Sequence, residues 1–357
     1  MSLFDRILQE PSYKWQDQSG ELVVPTTSQL WKEVFSHLNI FKSKKNWISL
    51  ASLVMIISFL PFLYFFIFHY FSLPLLAVMI VYSMIVMGTH GTVWYHRYCT
   101  HKAYKFRNPI FRFITQNLVI RTLPEEIYCI SHHVHHLRSD KPGDPYNSLA
   151  GFWYVFLAEF NHQTINKDLS EEDYNKTRKL MSHTGIWTNN FRQYQRWGSV
   201  SHPLYIISMW IFNWSFWFTA LYMIGGFGLV TALFSASMLW FILVRIFNYT
   251  GHGKGEVKHV DGLDYDRTNL AINQTRPGMF TGEWHNNHHL YPASARAGFL
   301  PGQIDPAWMY IYTLYKLGAV TSYHDYKKAF LEKYVKKEEA GKVEKVEKVE
   351  KVELLRG

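Results

Sequence analysis

The stretch ISLASLVMIISFLPFLYFFIFHYF, residues 48–71, decides the fold of this chain because it holds no Asp, Glu, Lys or Arg over its whole length. A helix rising 1.5 Å per residue needs about 20 residues to cross about 30 Å of hydrocarbon, so the run is long enough to span a bilayer. Comparable runs occupy residues 73–92, 203–224 and 227–248, the last carrying only Arg245. The links at 69–74 and 225–228 are uncharged as well. Four spans in two hairpins follow, and the expected fold is an all-α integral membrane protein with four transmembrane helices and a helical cap. Buried helices of a soluble protein are the rival reading, but soluble cores rarely repeat runs this long.

Basic residues beside the runs set the expected orientation. Lys42, Lys44 and Lys45 precede the first; Arg97, Lys102, Lys105 and Arg107 follow the second; Arg192 and Arg196 precede the third; Arg245 and Lys254 flank the fourth. The positive-inside rule then puts both termini and the segments 93–202 and 249–335 in the cytoplasm. Residues 1–47 form an N-terminal segment in which Leu30, Val34, Phe35 and Leu38 share one helical side, suited to a helix lying at the interface or to ordinary core packing. Residues 336–357 repeat Lys-Val-Glu with a period of three, which builds no sustained apolar face and reads as a solvated, disordered tail. A net charge of +9 without a nucleic-acid docking motif fits charge near anionic lipid and excludes a nucleic-acid partner. Two cysteines, Cys99 and Cys129, support neither a disulfide framework nor a cysteine zinc site. The first apolar run starts too late, and lacks the small-residue pattern, for a cleavable signal.

Three histidine-dense stretches lie next to these runs: His96 to His101, His132 to His136 and His285 to His289. Imidazole is a donor for zinc, copper, iron and nickel. Pro124, Glu125 and Glu126 read as the first turn of a helix, on which His132, His135 and His136 fall within about 100° while His133 lies outside. His285, His288 and His289 repeat that spacing. His96 and His101 are about 140° apart on an ideal helix, so either the helix loosens there or the pair divides between two metals, and division is the expectation. Asn248 and His252, at i and i+4, are a further contributor, Asn248 directly or through water. The bland reading holds for His37, His69, His162, His183, His202, His259 and His324, as surface or hydrogen-bonded core residues, and in the main for His90. It fails for the dense stretches because chance does not repeat both spacing and membrane-edge placement.

The pattern His-x4-His, His-x2-His-His and His-x2-His-His resembles the membrane fatty-acid desaturases, most closely the acyl-CoA type related to stearoyl-CoA desaturase. Asp144-Pro145-Tyr146-Asn147, Asn248-Tyr249-Thr250-Gly251-His252, Gly282-Glu283-Trp284 and Ile304-Asp305-Pro306-Ala307-Trp308 extend the likeness, which runs from about Gly88 to Tyr323. The resemblance implies two iron ions held by His96, His101, His132, His135, His136, His252, His285, His288 and His289, with Asn248 reaching a metal through water. It implies an oxidoreductase that uses O2 and two electrons to put a double bond into a long-chain acyl substrate, most closely acyl-CoA. Taking hydrogens from two unactivated methylenes demands an oxidant beyond any side chain, hence iron. Asp140, Asp144, Asp261 and Glu283 are candidates to orient the ligand rings, each with a helix-cap or solvated reading beside it. Ile80, Met84 and Met87 are candidates for the closed end of a substrate tunnel, with lipid-facing or packing roles as the plain alternative. No His-Pro-Gly-Gly motif of a fused cytochrome b5 is present, so a separate ferredoxin-like or cytochrome b5-like donor with its reductase is expected. The rivals are an alkane or acyl hydroxylase on the same scaffold and a non-catalytic membrane metal carrier or sensor.

Overall fold

The computed structural model describes residues 3–252 and 284–335. Its helices begin with α1, Thr27–Leu38, where Thr26 and Gln29 close a capping box. Two long apolar helical stretches follow, α2 over Lys44–Tyr70 and α3 over Leu73–Thr100. The strand β1, Tyr104–Phe106, leads to α4, Pro109–Gln116, and α5, Glu125–Arg138. Next come α6, Glu171–Met181, α7, Phe191–Trp197, and the 49-residue stretch α8, Pro203–Gly251. Last are α9, His285–Leu290, α10, Pro306–Lys316, and the strand β2, Val320–Tyr323.

Three helical stretches, α2, α3 and α8, are long and apolar enough to cross a membrane. Unbroken, α8 would run about 74 Å, far beyond a bilayer. It breaks at Gly225 and Gly226, where the φ of +68° at Gly226 is a left-handed geometry that favours glycine. The chain doubles back there: Trp214 and Phe234, twenty positions apart, bring their rings to 5.2 Å. Phe59 and Phe62 from α2 pack into the same aromatic cluster.

The fold is mostly helical rather than all-α. β1 and β2 pair antiparallel, Tyr104 opposite Tyr323, and tie the chain after α3 to the C-terminal segment. Such long-range pairing of short strands leaves little local signal. Buried polar anchors hold the cap together. Glu125 takes two bonds from Arg121 and one from Gln116, while Glu126 accepts the backbone N–H groups of Val200 and Ser201. These carboxylates, expected as dipole partners at the start of α5, therefore also make buried tertiary contacts.

Two charges counted as flanking residues are interior. Arg97 is fully buried, with its Nη2 3.0 Å from both carboxylate oxygens of Asp305, and Arg245 pairs with Glu159 at 2.5 Å. A guanidinium tolerates such sites because its donors match a carboxylate. Lys42, Lys44, Lys102, Lys105, Arg107, Arg192 and Arg196 are exposed, as flanking charges should be. On α1, Leu30 and Val34 are buried while Trp31 and Phe35 are exposed, the latter by 66%.

Candidate metal centre

The end of α3 is where the first histidine pair is decided. Residues Thr92–Thr100 are π-helical, and the N–H of His101 bonds the carbonyl of His96 at 3.1 Å. Bonding from i to i+5 stacks residue i+5 over residue i, which an α-helix cannot do. His96 and His101 therefore face one point. The expected division of this pair between two metals is corrected: the helix loosens, and both rings join one group.

That group is His96, His101, His132, His136 and His288, whose candidate ligand atoms all lie within 4.8 Å of one another. The Nε2 atoms of His96, His132, His136 and His288 close a quadrilateral with edges of 2.9, 3.1, 3.0 and 2.8 Å. A second group is His135, His252, His285 and His289, again within 4.8 Å. Here His285 lies 2.9 Å from His252 and 3.0 Å from His289, and His135 lies 3.4 Å from His289. Both helices divide their three histidines. On α5, His132 and His136 serve the first group and His135 the second; on α9, His285 and His289 serve the second and His288 the first.

The residues fit metal ions. Neutral imidazole has one N–H, so a closed ring of nitrogen contacts leaves each atom wanting a shared partner. Ligands at right angles around an ion bonded at about 2.1 Å lie about 3.0 Å apart, against about 3.4 Å for a tetrahedron, and the four edges of the first group match the former. Five nitrogens also exceed the tetrahedral four of structural zinc. Only histidine enters either group among the described residues.

Buried carboxylates stand behind the second group. Asp144 Oδ1 accepts His135 Nδ1 at 2.8 Å and the N–H of Tyr146, while its Oδ2 accepts the N–H of Asp140. Asp140, at φ +59°, brings a carboxylate oxygen 3.9 Å from His252 Nδ1. A hydrogen-bonded carboxylate such as that of Asp144 fixes the orientation and tautomer of its ring, whereas Asp140 at 3.9 Å is beyond hydrogen-bond reach of His252. Asp261 and Glu283 lie outside the described residues, as does His259. A cavity opens from both groups: His96, His132, His252, His285 and Asn248 line one part, and Gly88, Gly91, Leu123, Val155, Trp240 and Phe241 another. Its wall thus draws on α3 and on the second limb of α8. Ile80, Met84 and Met87 are not among the residues that line it; Ile80 is 37% exposed and Met87 is buried.

The family model for fatty acid desaturases matches residues 73–297, the portion that carries all nine clustered histidines. The chain belongs to the fatty acid desaturase family. It is 26% identical to an acyl-CoA 5-desaturase of Anemone leveillei over 242 residues, covering 66% of this chain and 68% of that protein. It is 26% identical to the chloroplastic palmitoyl-monogalactosyldiacylglycerol delta-7 desaturase of Arabidopsis thaliana, covering 69% of this chain and 61% of the relative. An sn-1 stearoyl-lipid 9-desaturase of Anabaena variabilis is 24% identical over 69% of this chain and 83% of its own length. By their names these relatives act on different acyl carriers, at nearly equal identity.

The other histidines of this desaturase-family chain have ordinary partners. His90 bonds the Thr115 carbonyl at 2.7 Å, His162 the Pro145 carbonyl and His183 the Tyr98 carbonyl. His202 stacks on Trp187, His37 lies beside Glu33, and His69 and His324 are exposed. His133 joins neither group. Some neighbours of the site were not singled out from sequence. Tyr128 stacks on His132 at 5.1 Å, and its i−4 spacing could have flagged it. Glu159 and Gln163 reach the cavity wall only through folding, with no local signal.

Burial, and then the charge of neighbouring rings, holds His101, His132, His136, His252, His288 and His289 well below the usual histidine range. The neutral form that binds metal is therefore the one the fold favours. In the unfolded chain these rings gain protons near pH 6.5, whereas in the native state they do so only far lower. Native stability should thus fall as pH drops below about 6.5, by up to about 1.4 kcal/mol per pH unit for each ring. Thermal unfolding of the metal-free protein at pH 7.5 and 5.5 measures this; equal midpoints would contradict it.

Proposed function

We propose that this protein is a membrane-bound di-iron fatty acyl desaturase acting on a long-chain substrate, most closely an acyl-CoA. The observation that carries the reading is the pair of imidazole groups, five and four, opening onto one cavity between apolar helices. His96, His101, His132, His136 and His288 would hold one iron; His135, His252, His285 and His289 would hold the other, with Asn248 acting through water. Two irons supply, with O2 and two external electrons, the power to take hydrogens from adjacent methylenes. Asp144 holds His135 in orientation, with Asp140, Asp261 and Glu283 proposed for the same task on the other rings. The apolar cavity wall positions the acyl chain and keeps bulk water from it.

In this reading the two limbs of α8 are separate spans, at 203–224 and 227–248, joining 48–71 and 73–92 to make four. The segments 93–202 and 249–335 form a cytoplasmic cap with both termini on that side, and 1–47 is a cytosolic segment with an interfacial helix; the expected tail, 336–357, lies outside the described residues. Electrons come from a separate ferredoxin-like or cytochrome b5-like protein and its reductase, which exposed basic residues such as Lys102 and Lys105 would attract.

Expression in a host lacking its own desaturase, followed by mass spectrometry of the lipids, tests the reading. A double bond at a defined carbon is expected. Hydroxylated chains would instead make the protein a hydroxylase, and unchanged lipids with zinc in the purified protein a metal carrier.

The cavity makes a sharper expectation about chain length. A Cβ at Gly91 would lie 2.6 Å from Trp240 Cζ2, so Gly91→Leu must displace the indole and refill the cavity. The product profile should shift to shorter chains. Ile80→Trp or Met84→Trp should do likewise only if the chain extends beyond the cavity toward those residues; an unchanged profile removes them from the tunnel.

A further inference from the structure

Part of the cavity wall is polar. Glu159 and Gln163 line it beside Arg245. Glu159 Oε2 accepts from Arg245, while its Oε1 is buried with no hydrogen-bond partner among the described residues. Two residues on, within about 7 Å along the backbone, Asn161 is fully buried and neither of its amide atoms makes a hydrogen bond of ordinary length and angle among the described residues. The N-terminal segment covers this turn, since α1 packs on residues Ala158–Phe160. From it, the Tyr13 hydroxyl interacts with the Asn161 side chain and His37 with the Asn161 backbone, yet Tyr13 OH and His37 Nδ1 are buried without a hydrogen bond of ordinary length and angle among the described residues. Glu33 lies 3.7 Å from His37 and accepts the N–H of Ser12, which is exposed.

A buried polar atom left unpaired costs about 1–3 kcal/mol, and native proteins tolerate few. Five buried atoms without a hydrogen bond of ordinary length and angle among the described residues, on Glu159, Asn161, Tyr13 and His37, gather in one neighbourhood where ordered water would complete them. An apolar acyl chain gives the adjoining ion pair no purpose, and hydrophobic residues would serve stability at least as well.

The reaction supplies a purpose, on the desaturase reading. Each cycle turns –CH2–CH2–, one O2, two electrons and two protons into –CH=CH– and two waters. The donor protein brings the electrons. The protons must come from solvent, and the waters must leave. We propose that Glu159, Gln163, Asn161, Tyr13, His37 and Glu33 form a water-filled path that delivers protons to the cavity and releases water to the surface of the N-terminal segment. Arg245 is a positioning residue that fixes Glu159 at the inner end.

The test uses the full, metal-loaded chain with a reduced donor of the ferredoxin or cytochrome b5 class, and stearoyl-CoA and distearoyl glycerolipid vesicles as probes. Alkene formed and hydrogen peroxide released per O2 consumed are measured in H2O and in D2O. Asn161→Leu should slow alkene formation about tenfold or more, raise peroxide release and enlarge the solvent isotope effect, with KM for the acyl probe unchanged. Tyr13→Phe, which removes one hydroxyl near the outer end, should shift the same readouts less, and Asn161→Ser should restore them. An Asn161→Leu protein with full metal content and wild-type coupling and isotope effect would overturn the path. So would loss of metal in both Asn161 variants with Tyr13→Phe unchanged, which marks packing alone. A wild type that forms no alkene with either probe instead sinks the desaturase reading, and the path falls with it.

Discussion

Alanine in place of His288 is expected to abolish alkene formation while leaving the protein in the membrane at wild-type abundance. His288 sits at a corner of the Nε2 quadrilateral, 2.8 Å from His96 and 3.0 Å from His136, so its loss opens the first group on two edges. His135→Ala should be as severe, because it removes one of only four nitrogens in the second group. Metal analysis tests the division into two groups: each variant should lose about one of the two ions. Asp144→Ala leaves all nine rings in the chain but removes the carboxylate that holds His135 Nδ1 and accepts the N–H groups of Asp140 and Tyr146. Its metal affinity should fall by about 10–100-fold, and excess ferrous iron should recover part of the activity. Full activity and full metal content in His288→Ala would remove the quadrilateral from the site.

Asp305→Ala should be the most destabilising single change in the cap. Its carboxylate accepts Arg97 Nη2 on both oxygens, accepts the N–H groups of Ala297 and Gly298, and caps α10 through the N–H of Trp308. Removing one partner of a buried ion pair leaves the other charge unpaired, at a cost of about 3–5 kcal/mol. Loss of the cap adds about 1 kcal/mol. Together these approach the whole stability of many domains. Because Arg97 adjoins His96, the first group should loosen at the same time. Asp305→Asn keeps a cap acceptor and loses the charge, so it should fall between. Thermal unfolding in detergent checks the order, and equal midpoints for wild type and Asp305→Ala would contradict it.

Much of this was legible along the chain because it depends on local spacing. Apolar length marks α2, α3 and α8, and the i, i+3, i+4 rhythm marks His132, His135 and His136 as one helix side. Glycine marks the reversal in α8, since the left-handed φ at Gly226 suits no other residue as well. The charges were harder. Arg97 and Arg245 look like any flanking basic residue until Asp305 and Glu159, 208 and 86 positions away, are brought against them.

The sequence by itself determined that nine histidines could converge beside apolar helices, because ligand type and helical period are properties of short segments. Only the tertiary structure decided how they divide. His135 sits at one edge of its arc and His132 with His136 at the other, and which edge meets which partner depends on how α5 and α9 face each other. The union of His96 with His101 likewise rests on the π-helical turn, a backbone bonding pattern that residue spacing alone leaves open.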